Sequence, residues 1–149
     1  MAGATIAVAS DHAGFDLKEI LKSDLQAAGY AVLDLGTNST ASVDYPDYGA
    51  AMGEAIAAGK AERGVIVCGS GIGISIAANR NPRVRAVLAH DTTSARLSRE
   101  HNDANVVAFG QRVIGVEVAR EALKVFLNTA FEGGRHAGRV AKLSGVPKS

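Results

Sequence analysis

Five times along this chain a short apolar run ends at a polar or glycine-rich turn and gives way to a segment with helical spacing. The runs are Thr5–Ala9, Ala31–Leu35, Gly64–Cys68, Val84–Ala89 and Asn105–Phe109. The helical segments are Phe15–Ala28, a stretch beginning at Asp47, Ile72–Ala78, Thr92–His101 and Gly115–Ala130. In the first of these, Leu17, Ile20, Leu21, Leu25 and Ala28 recur on one face, and Gly29 sits where a C-terminal cap belongs. Asp91 or Thr92 can cap the fourth. A polar loop from Gly36 to Pro46 is the longest connection, and a basic helix is expected from about Arg135 to Leu143. Regular β-then-α alternation requires a parallel sheet with helices on both faces. Right-handed crossovers then give an α/β, Rossmann-like three-layer sandwich with a five-stranded parallel sheet and a C-terminal helix.

The length of 149 residues suits a single domain over 1–149 with one core. Aromatic residues are 5% of the chain and Trp is absent, so Ala, Val, Ile and Leu must fill that core. A formal net charge of +1 gives no bulk reason to expect nucleic acid or a membrane surface as partner. No apolar run approaches the roughly 18 residues of a membrane helix. The N-terminus does not read as a secretory leader. One cysteine cannot form an internal disulfide and fits a reducing compartment, so a cytoplasmic location is expected.

Open parallel sheets bind ligands beyond the carboxyl ends of their strands. That rule singles out Ser10–Gly14, Cys68–Gly73, His90–Thr93 and the segment from Gly110. The second is the richest. Gly69, Gly71 and Gly73 allow positive φ and close backbone approach, and successive N–H groups at a helix start bind anions. Gly-x-Gly-x-x-Gly is absent, because positions 74 and 76 are Ile, and so is the P-loop pattern. An oxyanion or phosphate site fits this turn, as does a turn made only for tight packing. Cys68 is a nucleophile or base candidate beside those N–H groups; it fits equally as a small buried apolar side chain. Asp11 and His12 could clamp a substrate, or Asp11 could simply cap the next helix. His101 could act as a general acid or base, or could complement a helix C-terminus, with Asn102 as its cap. His90 reads as structural. Arg135 and Arg139 are four residues apart, so a helix places both guanidinium groups on one face. Such a pair suits multidentate capture of phosphate, and also suits a solvated basic end; Arg112 could reach the same region.

Taken together, Ala9-Ser10-Asp11-His12-Ala13-Gly14, Cys68-Gly69-Ser70-Gly71-Ile72-Gly73, His101-Asn102-Asp103-Ala104-Asn105 and Gly134-Arg135-His136 through Arg139 resemble the ribose-5-phosphate isomerase B family. That family includes the galactose-6-phosphate isomerase subunits. The resemblance spans nearly the whole chain. It implies a metal-free and cofactor-free aldose–ketose isomerase interconverting ribose 5-phosphate and ribulose 5-phosphate through an enediolate. Cys68 matches the family's catalytic base, and His101 the residue that helps open the furanose. Gly69, Ser70, Gly71, Ile72 and Gly73 match the anion hole. Ser70 stands where many members carry Thr, and either residue supplies a hydroxyl. Asp11 and Asn102 match sugar-oxygen ligands; His12, Arg112, Arg135 and Arg139 match phosphate contacts. A branch without this cysteine uses a carboxylate further along the turn; here 72 and 74 are Ile and 75 is Ser, so that base is missing. The resemblance also implies a homodimer with sites shared between subunits, so that His101 and Asn102 serve the partner's site, and leaves open whether dimers pair again. Other phosphorylated sugars (allose 6-phosphate, galactose 6-phosphate, a tetrulose phosphate) are alternative substrates. A non-catalytic phosphosugar-binding protein would need neither Cys68 nor His101.

Overall fold

The five apolar runs pair side by side as parallel strands in the computed structural model, which describes residues 3–145. They are β1 (Thr5–Ser10), β2 (Ala31–Asp34), β3 (Arg63–Cys68), β4 (Ala86–Leu88) and β5 (Val106–Gly110). Their order across the sheet is β2-β1-β3-β5-β4. The helices are α1 (Phe15–Ala27), α2 (Tyr45–Ala57), α3 (Ile72–Ala78), α4 (Thr92–Asn102), α5 (Val116–Asn128) and α6 (Ala137–Leu143). None of the described helices is long and apolar enough to cross a membrane.

Alternation along each strand sends side chains to two cores. Val65, Val67, Val107 and Phe109 pack with Leu17, Leu21 and Leu25 of α1, Ala95 of α4 and Phe126 of α5. Ile66, Cys68, Val106 and Ala108 pack on the other face with Met52 of α2 and Ile74 and Ala78 of α3. The crossover rule explains the split. Connections that move leftward across the sheet put their helix on one face, and rightward ones on the other.

Element boundaries depart from expectation by two residues in four places, one of them α5, which ends at Asn128 rather than Ala130. Helix α2 begins at Tyr45, two residues before Asp47, because Pro46 lacks only an N–H that a first turn leaves unpaired. Strand β4 is shorter than Val84–Ala89, and the Asn79 side chain closes its free edge at Ala86, donating to its C=O at 3.0 Å and accepting from its N–H at 2.8 Å. The expected helix at Arg135 is a 3-10 turn over Gly134–His136 that leads into α6. At α4 the cap is Asp91, whose Oδ1 accepts from the Ser94 N–H at 2.6 Å. The helix ends at Asp103 in left-handed backbone, φ 47°, so Asn102 is its last helical residue rather than its cap.

One buried cation fixes the sheet's rim. Lys18 of α1 is 1% exposed, and its Nζ donates to Asp34 Oδ1 at 2.8 Å and to the Thr37 carbonyl at 2.7 Å. Burial works to raise the Asp34 carboxyl, but hydrogen bonds from Lys18, the Gly36 N–H and Lys22 outweigh it and hold the group below its ordinary range. The same loop is laced to β1 by Ser10 N–H to Gly36 O (2.8 Å) and Thr37 N–H to Ser10 O (2.9 Å).

Candidate active site

The order of the strands reverses between β1 and β3, where one chain connection leaves toward β2 and the next toward the opposite edge. A crevice forms at such a point. Register aligns Ser10 with Val67 and Cys68 with Gly110, so Asp11, Gly69 and Gln111 follow each other along one rim.

Cys68 is 4% exposed, and its Sγ accepts a hydrogen bond from the Gly71 N–H at 3.1 Å. Charged acceptors hold such donors more strongly than neutral ones. Ser70 Oγ accepts from the Ile72 N–H at 3.1 Å. Gly71 adopts φ +77°, and a Cβ there would lie 2.5 Å from Leu88 and 2.8 Å from the Phe109 backbone, so this position requires glycine. The turn is pinned to β5 by Gln111 N–H to Cys68 O (2.9 Å) and Arg112 N–H to Gly69 O (3.0 Å). The same turn brings the Arg112 guanidinium beside Gly69, 3.2 Å from where a Cβ would stand. Tyr45 lies against Gly73, where a Cβ would come within 2.5 Å of its ring; nothing in the sequence spacing marks that contact.

Across the rim, Asp11 is buried and its Oδ1 accepts from the Gly14 N–H at 3.1 Å, which is the capping role. His12 Nδ1 lies 3.2 Å from the N–H of Val43, and this leaves Nε2 as the ring's other nitrogen. His90 follows β4 with its Nε2 buried and unpaired.

The remaining candidates lie elsewhere. Helix α4 runs back along the sheet, so its 11 residues carry His101 and Asn102 about 16 Å from its start, to the amino end of the strands. Contacts fix that placement. Asn105, just beyond, accepts from the Gly64 N–H and donates to the Arg85 carbonyl, at the starts of β3 and β4. Arg85 also reaches the Asp103 carbonyl at 2.8 Å. The turn carrying Arg135 and His136 packs here too, through stacked His101 and His136 rings 4.5 Å apart and inclined by 19°. One chain therefore has two clusters: Asp11, His12, Cys68–Gly73 and Arg112 at one end, and His101, Asn102, Arg135 and Arg139 at the other. Arg112, Arg135 and Arg139 are exposed and form no ion pair among the described residues.

His136 is held below the ordinary imidazole range, first by burial and then by Arg135, His101 and Arg139; Glu132 opposes them. Its Nε2 is buried without a hydrogen bond, 3.5 Å from Glu132 Oε1. Donor atoms of His101, Glu132 and His136 fall within 4.8 Å of one another, a grouping the sequence does not announce. The two rings are nearly parallel, so their in-plane lone pairs do not converge on one ion as they stand.

A buried thiol that accepts a main-chain N–H at a sheet's switch point, with the exposed Arg112 beside the same glycine turn, fits an α/β enzyme that handles an anionic ligand. Comparison with known proteins gives the family. The Ribose/Galactose Isomerase family model matches residues 6–143, and the chain belongs to that family. It is 44% identical over 141 residues to ribose-5-phosphate isomerase B of Escherichia coli (strain K12), covering 95% of each chain. It is 41% identical to D-erythrulose-4-phosphate isomerase of Pectobacterium atrosepticum, covering 93% of this chain and 92% of that one. The solved structure of Clostridium thermocellum ribose-5-phosphate isomerase B superposes with a TM-score of 0.93 at 46% identity, covering 95% and 96% of the two chains.

Proposed function

We propose that this enzyme interconverts D-ribose 5-phosphate and D-ribulose 5-phosphate, with Cys68 as the base. The observation that carries the reading is the buried Cys68 Sγ accepting the Gly71 N–H of a glycine turn at the switch point. In the ring-closed substrate, the C1–O4 bond breaks and His101 delivers a proton to O4. The C1 hydroxyl releases its own proton as it becomes the aldehyde. Cys68 then removes the C2 proton, and the electron pair moves through C1 onto O1. The Gly69–Gly73 amides and the Ser70 hydroxyl stabilise that oxyanion. Return of the proton to C1, with the hydroxyl proton passing from O2 to O1, gives the ketose. Asp11 and Asn102 hold sugar hydroxyls; His12, Arg112, Arg135 and Arg139 hold the phosphate, whose binding keeps C1 and C2 at the thiol. No step calls on a cofactor or metal.

His101 and Cys68 sit at opposite ends of one chain, so the complete site needs a second copy. Exposed Ile72 and Ile76, one turn apart on α3, and exposed Leu143 on α6 offer apolar surface to such a partner. A homodimer in the cytoplasm is the proposed state.

The test is a rate panel over phosphorylated sugars of four to six carbons, with a chelator present. Ribose 5-phosphate should give the highest kcat/KM. Preference for D-erythrulose 4-phosphate or a six-carbon phosphate would move the substrate while keeping the chemistry. Cys68→Ala should lower kcat by about 10³-fold while ribose 5-phosphate still binds in calorimetry; retained turnover removes Cys68 as base.

A further inference from the structure

We infer that His136 is a positioning residue for His101, holding that imidazole by stacking so that its proton is aimed at the sugar ring oxygen. The inference rests on the ring-opening role proposed for His101.

His101 is half-buried at the end of α4, and no hydrogen bond to either of its nitrogens is found among the described residues. A histidine that must deliver a proton in one direction usually has its ring fixed through a hydrogen bond to the other nitrogen. Here the fixing contact is a face. The His136 ring lies 4.5 Å from the His101 ring at 19°, within the range of offset stacking. His136 is itself packed in place. It is 6% exposed, and its turn is closed by its own N–H donating to the Gly133 carbonyl at 3.0 Å. The loop before that turn is tied to α4 through the Glu132 N–H and the Glu100 carbonyl at 3.1 Å, one residue from His101. Its Nε2 makes no hydrogen bond. A buried polar atom left unpaired has a cost, so what the position uses is the ring plane rather than the nitrogen. Burial, and then the neighbouring Arg135 and Arg139, hold the His136 imidazole below its ordinary range.

The two directions of the reaction separate this role from a merely structural one. Ribulose 5-phosphate cannot close a furanose, because its C5 oxygen carries the phosphate. Exchange of its C1 hydrogen with deuterated solvent therefore needs Cys68 but no ring opening. In the full-length chain, His136→Ala should lower kcat for ribose 5-phosphate about tenfold and leave the exchange rate within about twofold. His136→Phe, which keeps the face and discards the unpaired nitrogen, should recover most of the ribose 5-phosphate rate. An unchanged rate in His136→Ala, an equal fall in both assays or a Phe variant as slow as Ala would each overturn the inference. Full ribose 5-phosphate turnover by His101→Asn would instead overturn the role of His101 itself.

Discussion

The two ends of this molecule are built by different means. The thiol end is made of backbone. Strand termini, a left-handed glycine and main-chain amides define it, and added Cβ atoms have no room there. The histidine end is made of side chains. A helix terminus, a 3-10 turn and a short last helix bring His101, Asn102, His136 and two arginines into one region through stacking and loop contacts. The backbone end presents a buried thiol and a turn of main-chain N–H groups. The side-chain end carries exposed arginines and two stacked imidazoles. In the proposed dimer each would supply half of a site, because within one chain the sheet lies between them.

The comparison is broken most directly by mixing inactive chains. Cys68→Ala and His101→Asn should each be nearly inactive on ribose 5-phosphate. Unfolding and refolding them together should restore roughly one quarter of the parent rate, since half the dimers are mixed and each of those has one intact site. No recovery would mean that the two ends do not meet across an interface. Next in size is Gly71→Ala. Left-handed backbone and the contact with Leu88 should cost about 3 kcal/mol of stability, read by denaturant titration, along with most of the activity.

A smaller effect is expected at the rim. Lys18→Met leaves the Thr37 carbonyl unpaired and Asp34 with only Lys22 and the Gly36 N–H, at a cost of about 2–3 kcal/mol near neutral pH. The Asp34 carboxyl is depressed in the folded state, so its contribution is complete above the ordinary value of 3.8 and is lost as pH falls below it. The parent should therefore lose more stability than the variant between about pH 6 and about pH 3. Equal losses would show that Lys18 does not act through Asp34. The smallest effect belongs to the cap that starts the helix leading to His101. Asp91→Ala should lower Tm by about 2 °C and leave turnover nearly unchanged.

The amino-acid sequence alone determined the sheet, its helices and the thiol turn. Strand and helix periodicity are local, and so is the need for glycine where main chain approaches main chain. Cys68, Ser70 and the glycines could be found by reading six consecutive positions. The sequence also carried His101, Arg135 and Arg139 through the likeness to a family, but their spacing said nothing of what they touch. Only the tertiary structure decided that β5 inserts between β3 and β4, that Lys18 lies buried against Asp34, and that Tyr45 covers Gly73. It alone stacked His136 on His101, from segments 35 positions apart, and carried that pair to the far end from Cys68. Such contacts depend on packing between distant elements, which no local pattern encodes.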